Sequence, residues 1–320
     1  MTTSPDLELE AVVVTDLVKE YGDVRAIDEI SFTVKRGEIF GLLGPNGAGK
    51  TTTIECLVGL RPPTSGTIRV LGMAPDKNRR RFTERVSIQP QSASLFDTLT
   101  VDETLRLFAS FYQDALEPND VRGEVRLDEQ ARTRVKHLSG GQLRRLLLGI
   151  ALIGKPELVV LDEPSAGLDP TARHHLWDTI RDLAASGTTV ILSTHHMEEA
   201  TELCDRVAIV VRGRIVALDT PDALIRARDA ESVVTFHVPP GTDPTSIRTL
   251  ADASDLTITD HGAHLQIEVR TPDPDSIVRK ITFLPGITAR DFDIRRGTLE
   301  DLFIELSKSD EPQSTEHIST

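Results

Sequence analysis

Two short stretches hold most of the residues whose types and spacing could do chemistry. The first is Gly44-Pro45-Asn46-Gly47-Ala48-Gly49-Lys50-Thr51, followed by Thr52, directly after the apolar run Ile39–Leu43. Glycines let backbone N–H groups converge on phosphate oxygens, and a helix opening at that point turns its positive end toward an anion. In such a loop Lys50 reaches the β- and γ-phosphates of a nucleotide, and the Thr51 hydroxyl holds Mg²⁺. The second is Leu158-Val-Val-Leu-Asp162-Glu163-Pro164, an apolar strand that ends on two adjacent carboxylates. Paired acids at a strand end are unfavourable unless a cation is near. Mg²⁺ and Lys50 would supply one, with Asp162 on the metal and Glu163 polarising the attacking water as general base. A third stretch, Leu138-Ser139-Gly140-Gly141-Gln142, reads two ways: an anion-binding nest, or a helix start capped by Ser139.

Positioning these groups takes alternating strands and helices. β-branched runs in VVVTDLVKEY and ISFTVKRGEIFGLLG predict strands, as do GTIRVLG, Leu158–Leu161, Thr189–Ser193, Val207–Val211 and Arg214–Ala217. Helical patterns follow Thr51, run through VDETLRLFASFY, start again after Gly141, and recur at Ala172–Ala185 and Met197–Cys204. The expected result is a mostly parallel sheet with helices on both faces and the ligand at the carboxyl ends of the strands. Residues 113–137 are polar and show no clear period. Past residue 230 the order becomes β-α-β-β-α-β, with strands SVVTFHV, DLTITD, AHLQIEV and ITARDFDI and helices at Pro244–Ala253 and Pro274–Phe283. That order suggests a small ferredoxin-like α+β domain. A short helix, TLEDLFIEL, and a polar tail expected to be disordered from Ser307 close the chain.

The 320 residues carry a formal charge of −14. An acidic surface repels phosphate backbones, so no nucleic-acid partner is expected. Cys56 and Cys204 lack ligand-like spacing, which argues against a disulfide framework or a zinc site. No apolar stretch approaches the roughly 18–20 residues needed to span a bilayer. The acidic start MTTSPDLELE lacks the apolar core of a signal peptide. Work at a membrane would therefore need a second chain for the membrane part.

Taken in order, GPNGAGKT, LSGGQ, LVVLDEP, SAGLDP and STHHMEEA resemble the motif set of ABC transporter ATP-binding subunits, over about residues 9–222. The resemblance implies a P-loop NTPase fold, with an ATPase domain over 9–225 and a helical subdomain at about 92–145. It implies ATP and Mg²⁺ as cofactors. Tyr21 then matches the aromatic on which adenine stacks, Gln91 the glutamine that senses Mg²⁺ and the membrane subunit, Asp169 the D-loop aspartate, and His195 the switch histidine at the γ-phosphate. Without the family, His195-His196 reads as a polar strand end. In this family two subunits pair head to tail, so Ser139 and Gly141, with Gly140 and Gln142, face the γ-phosphate held by Lys50 of the partner subunit. Residues 230–306 and the ending GTLEDLFIEL look like the accessory domain of daunorubicin-resistance-type exporters, which work at the cytoplasmic face of the cell membrane with an ABC-2 type permease. Against that pattern, residues 113–137 look short and weakly apolar, and Ser165-Ala166 replaces the commoner Thr-Ser. Two rivals share the motifs: a soluble ABC ATPase, and an importer ATPase. The absence of a second cassette or a long insertion counts against the first, and the C-terminal segment weighs against the second.

Overall fold

The computed structural model describes residues 10–227, 232–242, 256–271, 273–284, 287–295 and 297–309. Two compact units divide at Pro221/Asp222. In chain order the first contains strands β1 (Glu10–Tyr21), β2 (Val24–Lys35) and β3 (Ile39–Leu43), helix α1 (Lys50–Leu57), β4 (Ser65–Val70), α2 (Arg79–Thr83) and β5 (Val86–Gln89). Helices α3 (Val101–Ala109), α4 (Pro118–Glu124) and α5 (Gly140–Leu152) follow, then β6 (Leu158–Asp162), α6 (Pro170–Ala185), β7 (Thr189–Thr194), α7 (Met197–Leu203), β8 (Arg206–Val211) and β9 (Arg214–Asp219). A helix α8 (Pro221–Ala227) comes next.

The main sheet has the order β5-β6-β7-β3-β8-β9 and is parallel except for the β8–β9 pair. Strands β3, β6 and β7 are buried at every position, which is why their centres read as apolar runs rather than alternating ones. Their register sets Leu43 beside Thr194 and Asp162 beside Ser193. Three neighbouring strands therefore end together, and the loops that leave them share one edge. Strands β1, β2 and β4 form a separate antiparallel sheet, order β2-β1-β4. Alternation in the sequence shows the strands of this sheet, while its separateness follows from pairing between distant residues. Stacked Phe32 and Phe40 rings, with centroids 5.3 Å apart, join it to the main sheet in one core.

The stretch 113–137, weakly apolar in sequence, is more ordered than its composition suggests. It folds into α4 and two short 3₁₀ turns, Asp128–Gln130 and Val135–His137. Val121, Val125, Leu127 and Val135 are all buried. Val121 and Leu105 of α3 close on Gly149 of α5, where a Cβ would come within 3.2 Å and 3.5 Å of them. One missing side chain at the crossing thus lets three helices pack with few apolar residues. Helix α3 is fixed at its start by a reciprocal cap, in which Glu103 N–H donates to Thr100 and Thr100 N–H donates to Glu103.

The second unit holds β10 (Ser232–Val238), β11 (Leu256–Asp260), β12 (Leu265–Thr271), α9 (Pro274–Thr282), β13 (Arg290–Arg295) and α10 (Leu299–Ser309). Its sheet is antiparallel throughout, order β11-β12-β10-β13. Phe236, Ile267 and Val269 pack with Ile277 and Ile281 of α9. The helix expected at Pro244–Ala253 lies outside the described residues. Helix α10 continues to Ser309, past the Ser307 start expected for a disordered tail; its apolar positions Leu302 and Leu306 are buried and carry it on. Cys56 and Cys204 are free and buried. Among the described residues no helix is long and apolar enough to cross a membrane.

Leu105 is fully buried at the three-helix crossing. Leu105→Ala should lower the unfolding free energy by about 2–5 kcal/mol. Urea denaturation followed by the single tryptophan, Trp177, checks this; a loss below about 1 kcal/mol would mean the crossing is not closely packed.

Candidate functional site

The loop between β3 and α1 is shaped by what lies behind it. A Cβ on Gly44 would sit 2.3 Å from the Val210 carbonyl oxygen, and one on Gly49 would sit 2.4 Å from that of Ala26. Gly47 and Gly49 have positive φ, 81° and 104°. Only glycine satisfies both the space and the dihedral at position 49. Gly49 also caps α1, with no side chain bonded to the helix start and no acid in its first turn. The amides there are left for an external anion. These are the features a nucleotide phosphate chain requires, and they belong to Gly44, Pro45, Asn46, Gly47, Ala48 and Gly49 as a single cradle.

Lys50 opens α1 and is 4% exposed. Its ammonium donates to the carbonyls of Gly44 (2.8 Å) and Pro45 (3.0 Å) and lies 3.5 Å from Glu163 Oε1. Burial holds it below the ordinary lysine range, opposed by the nearby Glu163 and Asp162 carboxylates. Thr51 Oγ1 donates to Asp162 Oδ1 at 3.4 Å. Thr52, beside it, is half-buried.

Asp162 ends β6, and Glu163 begins the turn after it. The Ser193 hydroxyl at the end of β7 donates to Asp162 Oδ1 and also accepts the Glu163 N–H, at 3.1 Å. The Glu163 backbone is left-handed, φ 48°, a conformation that costs a non-glycine residue roughly 1 kcal/mol. Its N–H donates to both the hydroxyl and the backbone carbonyl oxygen of Ser193, and these two bonds hold it there. Three side chains converge on its carboxylate. Lys50 and His195 Nδ1 approach Oε1, the latter at 3.2 Å though at an angle that makes no hydrogen bond. Gln91 Nε2 donates to Oε2 at 3.2 Å. His196, beside His195, is held below the ordinary imidazole range by burial and then by its neighbour.

Lys50, Thr51, Gln91, Asp162, Glu163 and His195 thus meet in one place, supplied by loops from β3, β5, β6 and β7. The donors suit Mg²⁺: a hydroxyl, a carboxylate and an amide, all hard oxygen ligands. Among the described residues no group of three or more His, Cys, Asp or Glu is arranged to hold a metal ion alone. A magnesium ion here would take most of its ligands from phosphate and water, as is usual for it.

The remaining sequence candidates have other neighbours. Ser139 and Gln142 form a reciprocal cap on α5, each bonding the other's backbone N–H. Gly140 faces open space, and a Cβ on Gly141 would meet Ala172 at 2.9 Å. The helix-cap reading of this stretch is therefore met by the Ser139 and Gln142 side chains, and of the two glycines only Gly140 is bare. Asp169 caps α6 by accepting the Ala172 N–H at 2.9 Å. Tyr21, 40% exposed at the end of β1, has Lys19 and Arg61 over its ring. Nothing in the sequence alone marks Ser193, since its partners Glu163 and Asp162 lie 30 and 31 residues away. Nor does anything there mark Arg144, which donates to the Gln91 carbonyl at 2.6 Å and ties α5 to the Gln91 loop.

Residues 27–166 match the family model described as ABC transporter. The chain is 38% identical over 301 residues to Nod factor export ATP-binding protein I of Burkholderia orbicola (strain AU 1054), covering 90% of this chain and 94% of the relative. It is 34% identical over 304 residues to linearmycin resistance ATP-binding protein LnrL of Bacillus subtilis (strain 168), covering 91% and 96%. A solved ATP-binding subunit of an ABC transporter superposes with a TM-score of 0.61 at 32% identity, over 68% of this chain and 92% of the other.

Lys50→Ala removes the side-chain cation bonded to the Gly44 and Pro45 carbonyls of the cradle. Nucleotide affinity and turnover should both fall, affinity by about 10- to 100-fold given a charge-assisted bond. Titration with a fluorescent ATP analogue checks this, and unaltered affinity would remove Lys50 from the phosphate site.

Proposed function

Because the chain belongs to the ATP-binding subunits of ABC transporters, which hydrolyse ATP to power transport, we propose that Glu163 is its general base and that its γ-phosphate site is completed by a second subunit. The convergence of Lys50, Gln91 and His195 on one buried carboxylate carries this reading. An incoming γ-phosphate competes with Glu163 for the Lys50 ammonium. Once Lys50 turns to phosphate, Glu163 Oε1 is free to accept a proton from the attacking water. Gln91 keeps Oε2 oriented, and His195 stands where its imidazole can hold the γ-phosphate. Thr51 and Asp162, with Gln91 nearby, would hold Mg²⁺, which when bound neutralises charge on the β- and γ-phosphates. Tyr21 offers an exposed ring for adenine.

In the proposed head-to-tail pair, Ser139, Gly140, Gly141 and Gln142 of one subunit close on the nucleotide bound by the other. A solved bacterial ABC transporter cassette of the same fold is dimeric. Asp169, at the start of α6, stands at the same seam.

The membrane partner is a separate permease of the ABC-2 type, and the complex works at the cytoplasmic face of the membrane. Supporting this are the export and resistance names of the relatives and an apolar groove of about 230 Å³ lined by Phe82, Ile88, Phe108, Tyr112 and Ile150. Phe111, 69% exposed, sits beside it. The cargo in this reading is a drug-like or lipid-like compound moved outward, in keeping with the Nod factor export and linearmycin resistance names of the relatives. We read the C-terminal unit as a ferredoxin-like accessory domain, since its strand order is the one that a split β-α-β arrangement gives.

Glu163→Gln keeps the shape and loses the base. ATP binding should persist while turnover falls at least about 100-fold; normal turnover would refute the assignment. Gentle solubilisation of membranes containing the tagged chain should recover a polytopic membrane protein and no solute-binding protein, and substituting Phe111 with Glu should weaken that recovery. A chain found only in the soluble fraction would sink the transport reading and leave the ATPase site standing.

A further inference from the structure

Behind the site lies a buried carboxylate that the mechanism above does not use. Glu199, on the first turn of α7, is 0% exposed. Its Oε1 accepts a short hydrogen bond from the Ser165 hydroxyl and a second, at 3.1 Å, from the Trp177 indole N–H. The same indole N–H lies 3.1 Å from the Ser165 oxygen, so the three groups form a closed triangle. The other oxygen, Oε2, is buried without a hydrogen-bond partner.

This arrangement makes little sense as a stabilising device. A buried carboxylate satisfied by two neutral donors on one oxygen carries a desolvation cost that an apolar side chain would avoid. Its position is more informative. Ser165 stands two residues after Glu163 in the turn that continues to Asp169. Trp177 is on α6, the helix that Asp169 caps. Glu199 itself is on the helix that starts immediately after His195 and His196. The triangle therefore joins the segment carrying the proposed base to the segment carrying the proposed γ-phosphate sensor. The two groups whose spacing it would set, Glu163 and His195, are 3.2 Å apart.

We propose that Glu199 is a positioning residue that fixes Glu163 against His195 through Ser165 and Trp177. The acceptor must be strong because it holds three separate segments with one oxygen, and a charged acceptor does so better than a neutral one. The hydroxyl of Ser165 is the movable member. Alanine there opens the turn side of the triangle and leaves the Trp177–Glu199 bond in place; threonine keeps the hydroxyl. Ser165, which stands where the family pattern commonly has threonine, keeps that hydroxyl.

The proposal rests on the roles given above to Glu163 and His195, and the experiment separates the two. Steady-state ATP hydrolysis by the full chain is measured for Ser165→Ala, Ser165→Thr, Glu199→Gln and the Ser165→Ala/Glu199→Gln pair, with Glu163→Gln alongside. Ser165→Ala should lower kcat about tenfold or more, as a displaced catalytic group does, while KM and nucleotide affinity stay within about twofold. Ser165→Thr should restore kcat to within about twofold of the parent. The double variant should lose no more than the worse single one, because both changes break one link. A wild-type kcat in Ser165→Ala, a threonine variant as slow as the alanine one, or a loss that tracks only a lower melting temperature would each overturn the proposal. If Glu163→Gln turns over normally, the site assignment fails and the clamp with it; if Glu163→Gln is dead and Ser165→Ala is normal, the clamp alone fails.

Discussion

A single ammonium buried against two adjacent carboxylates is the constraint around which this ATPase unit is arranged. Lys50, Asp162 and Glu163 are all almost fully buried, and the one ammonium faces both carboxylates. Removing either sign would leave an uncompensated buried charge, which is far more damaging than the net worth of the pair. The neighbouring groups answer the same demand. The Gly44 and Pro45 carbonyls take the remaining protons of Lys50, and Ser193 supports Asp162 from the adjacent strand. The site is polarised before any substrate arrives, and a polyphosphate enters as a replacement for protein contacts that already exist.

That arrangement is possible only because three strands end in register. Pairing of Leu43 with Thr194 and of Asp162 with Ser193 leaves the histidine pair one strand-width from both the glycine cradle and the acid pair. Parallel strands with every side chain buried allow little slippage, since both faces are packed. Precision in the site is thus inherited from the sheet. The second sheet and the helices supply what the central strands cannot: an exposed tyrosine at one end, and capped helix starts at Thr100, Ser139 and Asp169.

Residues in the cradle and the acid pair were legible in sequence because each is a local pattern, a fixed spacing beside an apolar run. Lys50, Thr51, Asp162 and Glu163 lie where that reasoning puts them. Gln91 and His195 could be placed only through the family resemblance, since nothing local marks a lone glutamine or histidine. Ser193, Ser165, Trp177 and Glu199 escaped because their importance comes from partners 12 to 34 residues away in sequence. The helical segment after Gln113 was underestimated for another reason. Its few valines and leucines suffice only because Gly149 lets the helices close, and that glycine belongs to a different helix.

The reciprocal cap on α5 has a kinetic meaning. Ser139 and Gln142 already satisfy each other's backbone groups, so the start of this helix is folded whether or not a nucleotide faces it. In the proposed pair, then, the start of α5 does not have to order on contact. Association resembles the meeting of two finished surfaces, whose rate is governed by diffusion, orientation and the mutual repulsion of two acidic chains. The lifetime of the pair, rather than the speed of its formation, becomes the quantity that the bound phosphate controls.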